Sequence, residues 1–284
     1  MEIRTAQRTR QSVGAKMIIH LLLMVWSVIS LFPIIWMLST SLKEKNEIYT
    51  NASLIPRNAL NFKNYIEAWN YGGFKLYVLN SLFYTTVVVV GVVLIASLAA
   101  YAISRLELVG KKTIYYVFMG TMMIPVPGAF ISLFIVVSNL GLANTRLGYM
   151  LPLIAISLPI SIFILKSFFD ELPKEIEESA IIDGARSFQI YYKIMIPLAR
   201  SAIATIVILN MLSVWNEFLL ALVMFSNNKL MPIQMGLSVF VGQYTTQYEL
   251  LMAAMSIMVI PVILVYVLMQ KQFIQGITSG AIKG

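Results

Sequence analysis

Residues Tyr77–Ile103 read YVLNSLFYTTVVVVGVVLIASLAAYAI, without one Asp, Glu, Lys or Arg. A helix rises about 1.5 Å per residue, so this stretch can cross a hydrocarbon core of about 30 Å. Its apolar residues lie in runs, Val87–Val90 and then Val92–Ala96, and not in the alternation of a membrane β-barrel strand. Five more such runs accompany it: Met17–Leu38, Thr113–Ser138, Leu147–Phe169, Ser201–Phe225 and Leu250–Gln270. In lipid each segment must satisfy its own backbone amides. The sequence therefore predicts an all-α, polytopic membrane protein with six transmembrane helices.

Composition agrees with that reading. Of the 284 residues, 59% are hydrophobic and 12% charged, about half the roughly 25% charge of a soluble domain. Mean hydropathy is +0.81. These values exclude a disordered chain and a soluble globular enzyme. The absence of cysteine rules out disulfides, thiolate metal sites and cysteine nucleophiles, and the one histidine, His20, leaves little room for a multi-histidine metal centre.

The net charge of +8 fits basic cytoplasmic loops. With the N-terminus inside, the inner segments carry Arg4, Arg8, Arg10, Lys16, Arg105, Lys111, Lys112, Lys166, Lys174, Arg186, Lys193, Arg200, Lys271 and Lys283. The outer segments carry Lys43, Lys45, Arg57, Lys63, Lys75, Arg146 and Lys229. This two-to-one bias places both termini in the cytoplasm of a multi-pass cell-membrane protein. The first run is too long for a signal-peptide core and leads through Leu38-Ser39-Thr40 into a charged loop, so it is expected to remain as an anchor. Pro33, Pro125, Pro127, Pro152, Pro159 and Pro261 fall within spans, where kinks are expected.

Catalytic chemistry is missing. Among the spans there is one acid, Glu217, and one histidine, His20, whereas a proton-coupled carrier shows several ionisable groups at mid-membrane depth. A phosphate-cradling GxxxxGK[ST] loop has one near match, Gly110-Lys111-Lys112-Thr113, with Arg105 where glycine is required. It reads better as a basic cytoplasmic turn. Uphill transport by this chain would need energy from another.

The segment between the fourth and fifth runs, Asp170 to Pro197, is polar and longer than the usual 2–8 residues of a helix connection. Asp170 or Glu171 with Pro173 reads as a helix start. Ile176 and Ala180, with Ile181, are expected on one face. Gly184 permits the backbone geometry that ends this helix, and a second helix runs from Ser187 to about Met195, closed by Pro197. Small residues at the bend (Ser179, Ala180, Gly184, Ala185) make a compact knob. It suits either docking into a groove on a partner or lying on the membrane surface.

Glu178-Ser179-Ala180, three residues, Gly184, nine residues and then Ile194-x-Ile196-Pro197 resembles the EAA loop of ABC importer permeases, EAA-x3-G-x9-I-x-L-P. Ser179 and Ile196 are mild departures. Leu60–Tyr65, Asn80-Ser81-Leu82, Ala100-Tyr101-Ala102-Ile103-Ser104-Arg105, Trp215-Asn216-Glu217-Phe218 and the tail Gly276–Gly284 extend the likeness. Together they are similar to the maltose-permease G-type subunits of carbohydrate uptake transporters.

That resemblance implies a type I ABC importer permease fold, one transmembrane permease domain over 1–284, a coupling loop over 170–198 and a cytoplasmic tail over 271–284. It implies partners: a sister permease subunit, two ATPase subunits that bind ATP and Mg, and an external solute-binding protein. This chain itself would bind no cofactor and no nucleic acid and would be no enzyme. Glu178, Ser179, Ala180, Asp183, Gly184, Ala185 and Pro197 would couple to an ATPase. Gly280, Ala281, Ile282, Lys283 and Gly284 would lie against the ATPase interface, the glycines suiting an extended strand. The cargo would be a sugar, an oligosaccharide in particular, with glycerol phosphate or an ion-coupled sugar carrier as the alternatives.

Glu217 falls 16 residues into its run, roughly 24 Å along a helix, where an acid costs less than at the bilayer centre. Asn210, Trp215, Asn216 and Glu217 either line the sugar path or bond the spans to one another. Trp69, Tyr71, Tyr244 and Tyr248, near the outer surface, fit a contact with the binding protein or an interfacial aromatic belt.

Overall fold

Long apolar runs separated by short polar connections become helices throughout the computed structural model, which describes residues 13–51, 53–57, 60–242 and 245–281. In chain order they are α1 (Val13–Ser41), α2 (Lys45–Thr50), α3 (Lys63–Asn70), α4 (Phe74–Arg105), α5 (Lys111–Thr121), α6 (Val126–Asn139) and α7 (Arg146–Glu171). Then follow α8 (Glu175–Ile182), α9 (Ser187–Ile190), α10 (Ile196–Leu198), α11 (Arg200–Trp215), α12 (Leu219–Met224), α13 (Ile233–Gly236) and α14 (Tyr248–Ala281).

Among the described residues four helical stretches are long and apolar enough to cross a membrane: Lys16–Ser41, Lys63–Arg105 (α3 and α4, joined across the left-handed Gly72 and Gly73), Arg146–Glu171 and Tyr248–Lys271. A fifth arises only by counting Ser187–Leu198 with Arg200–Trp215 across a 75° bend. Two of the six expected spans are therefore not single helices. The third breaks between α5 and α6, where Pro125 is extended (ψ 103°). A proline cannot donate to the carbonyl four residues back, and its ring clashes with the preceding turn. The fifth breaks at Asn216-Glu217-Phe218 before α12. Pro33, Pro152, Pro159 and Pro261 instead lie within continuous helices.

The bundle's centre is the pairing of α4 with α7. Tyr84, Val88, Val92, Ala96 and Ala100, four apart on one stripe of α4, are buried. They join Leu153, Ile162, Leu165 and Phe169 of α7 and Ile206 of α11 in one core. Small residues on α4 let the backbones approach; a Cβ on Gly91 would lie 2.9 Å from Ile154. The two helices run parallel, since Arg146 reaches Asn80 Oδ1 at one end while Arg105 reaches the Phe169 carbonyl at the other.

At the Asn80 end, Asn80 Nδ2 donates to the carbonyls of Lys229 (2.9 Å) and Met231 (3.1 Å). Tyr84 Oη donates to Leu230 O at 2.7 Å, and Ser81 Oγ accepts from Ile233 N at 2.7 Å. Three residues of α4 thus hold the segment leading into α13. A second core under this end gathers Phe74, Tyr77, Trp215, Phe240 and Ala253.

From Lys16 to Trp36 α1 is exposed all round: Met24 is 67% and Trp26 70% accessible. A helix apolar on every face requires lipid or another chain around it.

Candidate coupling hairpin and the polar groups of the bundle

Leu172 is extended (ψ 138°), the conformation that Pro173 imposes on its predecessor. The first helix of the hairpin therefore starts at Glu175 and not at Asp170 or Glu171, which complete α7. Glu175, Glu177 and Glu178 fill its first turn, where the helix dipole favours acids. Ile176 is half-buried and Ala180 buried against the bundle. Ile181 is 60% exposed, contrary to expectation, because five residues rotate a helix about 140° past Ile176.

Gly184 ends α8 as its spacing predicts. With φ of +81°, it occupies the left-handed region that side chains resist. The Gly184 N–H donates to Ile181 O and the Ala185 N–H to Ala180 O, both at 2.9 Å, the paired bonds of a Schellman cap. Ala185 packs beside Ala180 in the core. The Arg186 N–H then donates to Gln189 Oε1 at 2.8 Å and α9 begins.

The second leg departs from expectation. After α9 it widens into a π-turn over Tyr191–Met195, and Pro197 lies inside α10 without closing it. The 75° turn comes one step later, at Ala199. Tyr191 and Met195 are buried in the main core, whereas Ile182 (86%), Phe188 (70%) and Tyr192 are exposed. The knob is fixed to the bundle on one side and offers apolar groups flanked by Glu178 and Asp183 on the other. Ser179 Oγ donates back to Ile176 O, and Pro197 is half-buried beside Lys193 and Arg200.

Sequence reasoning missed the contacts that fasten this knob. Arg105, at the end of α4, places Nε 3.0 Å from Glu177 Oε1, and Nη2 donates to the carbonyls of Phe169 and Leu172. Burial pushes the Glu177 carboxyl above the usual range, opposed by Arg105 and Lys174. Ser104 Oγ donates to Asp170, which also pairs with Lys166. The signal was available: a basic residue ends a long apolar run, and an acid-rich loop follows the next parallel helix.

The proposed path residues are engaged inside the chain. Asn210 is buried and donates to Ser161 Oγ (3.0 Å) and Ile206 O (2.7 Å). Trp215, 1% exposed, donates from Nε1 to Met258 O. The Glu217 carboxylate accepts from Tyr149 Oη and from the N–H groups of Leu220 and Ala221, which caps α12 across the break. These bonds join α7, α11, α12 and α14. Asn216 is exposed and its Oδ1 accepts from Gln234 Nε2 at 3.2 Å.

In the tail, Gly280 and Ala281 belong to α14 and are not an extended strand. Glycine costs a helix only about 1 kcal/mol, and no proline interrupts α14 after Pro261. Ile282, Lys283 and Gly284, like Tyr244, lie outside the described residues. Among the described residues no group of three His, Cys, Asp or Glu side chains could hold a metal ion.

Apolar helices with a braced polar hairpin at one end and a clipped segment at the other are the architecture of a polytopic membrane protein. The chain belongs to the family described as the binding-protein-dependent transport system inner membrane component, whose model matches residues 91–279. It is 34% identical over 266 residues to the diacetylchitobiose uptake system permease protein NgcG of Streptomyces coelicolor, covering 93% of this chain and 88% of the relative. It is 31% identical to the trehalose/maltose transport system permease protein MalG of Thermococcus litoralis, covering 97% of this chain and 99% of that one. Among solved structures it is similar to a chain of a bacterial ABC transporter involved in the import of the acidic polysaccharide alginate. That likeness has a TM-score of 0.82 and 25% identity, and covers 95% of this chain and all of the other.

Proposed function

We propose that this chain is the membrane-spanning permease subunit of an ATP-driven importer for sugars, oligosaccharides in particular. The observation that carries the reading is the family match together with relatives of nearly equal length, named for diacetylchitobiose and for trehalose and maltose. Neither is named for glycerol phosphate. In this reading residues 1–284 form one permease domain with six membrane passages, two of them broken, and both termini are cytoplasmic. The chain supplies half of a translocation path, the other half coming from a sister permease. One of two ATPase subunits, which carry ATP and Mg, docks on the hairpin at 170–198, with the exposed Glu178, Ser179, Asp183 and Gly184 at the contact, Ala180 and Ala185 packed behind them against the bundle and Pro197 at its foot. The tail over 271–284 lies against the ATPase subunits. The external binding protein that the family's description requires delivers the solute; Trp69, Tyr71 and Tyr248 lie at the end of the bundle it would approach. Of the candidate path residues, Asn216 keeps the most accessible side chain for a sugar hydroxyl.

The test is calorimetric titration of the cognate binding protein with a panel of mono-, di- and oligosaccharides and glycerol phosphate. Micromolar binding of an oligosaccharide is expected. Binding of glycerol phosphate alone would overturn the sugar assignment.

A further inference from the structure

The hairpin is joined by chain to α7 and α11, not to α4, yet the last three turns of α4 hold both its legs. Ser97 Oγ lies 2.8 Å from Tyr191 Oη, Tyr101 Oη donates to Ser187 O at 3.3 Å, and Arg105 Nε stands 3.0 Å from Glu177 Oε1. Ser97, Tyr101 and Arg105 are spaced four apart and so share one stripe of α4. The first two grip the second leg and the third grips the first leg.

Arg105 is the junction of the three elements. Its side chain is 5% exposed and that of Glu177 15%. Arg105 Nε and Glu177 Oε1 are buried and have no hydrogen-bond partner among the described residues, which leaves each facing the other. The same guanidinium donates through Nη2 to the last carbonyls of α7. A planar fork can serve both directions at once, which a lysine ammonium on its flexible stem cannot. Removing either partner would strand a buried charge, so the contact resists being pulled apart. At its far end α4 holds the 229–233 segment through Asn80, Ser81 and Tyr84. One continuous helix of 32 residues, about 48 Å long, is thus fastened by polar side chains at both ends.

We propose that Arg105, acting through Glu177, is a positioning residue that makes α4 move with the hairpin. A displacement of α8 then reaches the 229–233 segment directly through α4, as well as along the chain through α7 and α11. This rests on the reading that the hairpin takes its motion from an ATPase.

The test uses the assembled transporter, with sister permease, ATPases and binding protein, in proteoliposomes. This chain has no cysteine, so spin labels at Glu107→Cys and Glu175→Cys, both exposed, report the spacing of α4 and α8 once the partners are cysteine-free. The parent pair should give one narrow distance distribution, unchanged when nucleotide is trapped. Glu177→Gln should broaden it even without nucleotide, and solute moved per ATP should fall about fivefold, mid-range for coupling carried by packed networks. Arg105→Lys should fall between the two, and copurification of the ATPases should not change. An unchanged distribution in Glu177→Gln, or a broadened one with normal solute per ATP, would overturn the proposal. If Glu177→Gln does not assemble, the same two readouts on Arg105→Lys decide. Failure of the underlying reading looks different: Gly184→Leu would then transport normally while the distance result stood.

Discussion

Gly184 separates strain within this chain from contact with a partner. Its φ of +81° costs any ordinary side chain roughly 1–2 kcal/mol, with asparagine better tolerated. A Cβ built there meets nothing within 4 Å, so Gly184→Ala and Gly184→Leu carry the same strain in the isolated chain. That strain lowers occupancy of the cap by about 5- to 30-fold, and it leaves the bundle core untouched. Membrane insertion and protein level should therefore stay normal in both. A difference between alanine and leucine then points to a surface that meets the added Cγ and Cδ atoms beyond the open Cβ position. If the turn seats in a close-fitting cleft, forcing in a leucine costs about 1–3 kcal/mol more, the typical penalty of overpacking. Coupled uptake should then fall about 5- to 150-fold below that of Gly184→Ala. Gly184→Asn, with less strain, should lie nearer the parent than its bulk alone suggests. The assay is ATP-driven uptake and ATP hydrolysis by the reconstituted complex, normalised to protein level. Parental uptake in all three variants would refute the docking role, and equal loss in Ala and Leu would reduce the defect to strain.

Three further outcomes follow from named contacts. Glu217→Gln keeps the shape but loses one acceptor for the α12 amides; it should cost about 1 kcal/mol and lower Tm by about 2–4 °C, leaving sugar preference unchanged. A changed preference with unchanged Tm would make Glu217 a path residue. Asn80→Ala frees the carbonyls of Lys229 and Met231 at about 1–3 kcal/mol, and tryptic cleavage at Lys229 should quicken; unchanged cleavage would show that the clip does not hold this segment. The Glu47 carboxyl sits below its usual range because it accepts from the Arg57 N–H and the Asn51 amide. Its folded pKa is depressed, so its stabilisation is present above the ordinary carboxylate range and is lost as pH falls through the depressed value. The protection of the Arg57 amide, its hydrogen-exchange rate relative to an unstructured amide at the same pH, should fall on acidification in the parent and show no such pH step in Glu47→Gln.

The helical class was legible from apolar run length, since a bilayer thickness sets a fixed count of residues. Gly184 was legible too, because only a few residue types suit a left-handed cap. The broken fifth passage was not, as nothing local in Trp215-Asn216-Glu217-Phe218 says that the carboxylate turns forward to cap a new helix. Ile181 was misplaced because a five-residue step falls between the two faces of a short helix. Arg105 and Glu177 are 72 positions apart, and their contact depends on α4 and α7 running parallel. Hydropathy counts spans, and does not say which spans touch. The same limit hid the work of Asn80 and Tyr84, whose carbonyl partners lie about 150 residues away. Asn210 and Trp215 read equally well as path or packing until their bonds to Ser161 and Met258 were located.

The central claim is that the hairpin draws on ATP hydrolysis by a separate protein. Its most direct test is solute accumulation in vesicles carrying this chain and its sister permease, with binding protein outside, and with or without the ATPase subunits. Accumulation should require the ATPases and internal ATP, and it should persist when ion gradients are collapsed. Accumulation on a proton or sodium gradient without the ATPases would contradict the claim outright.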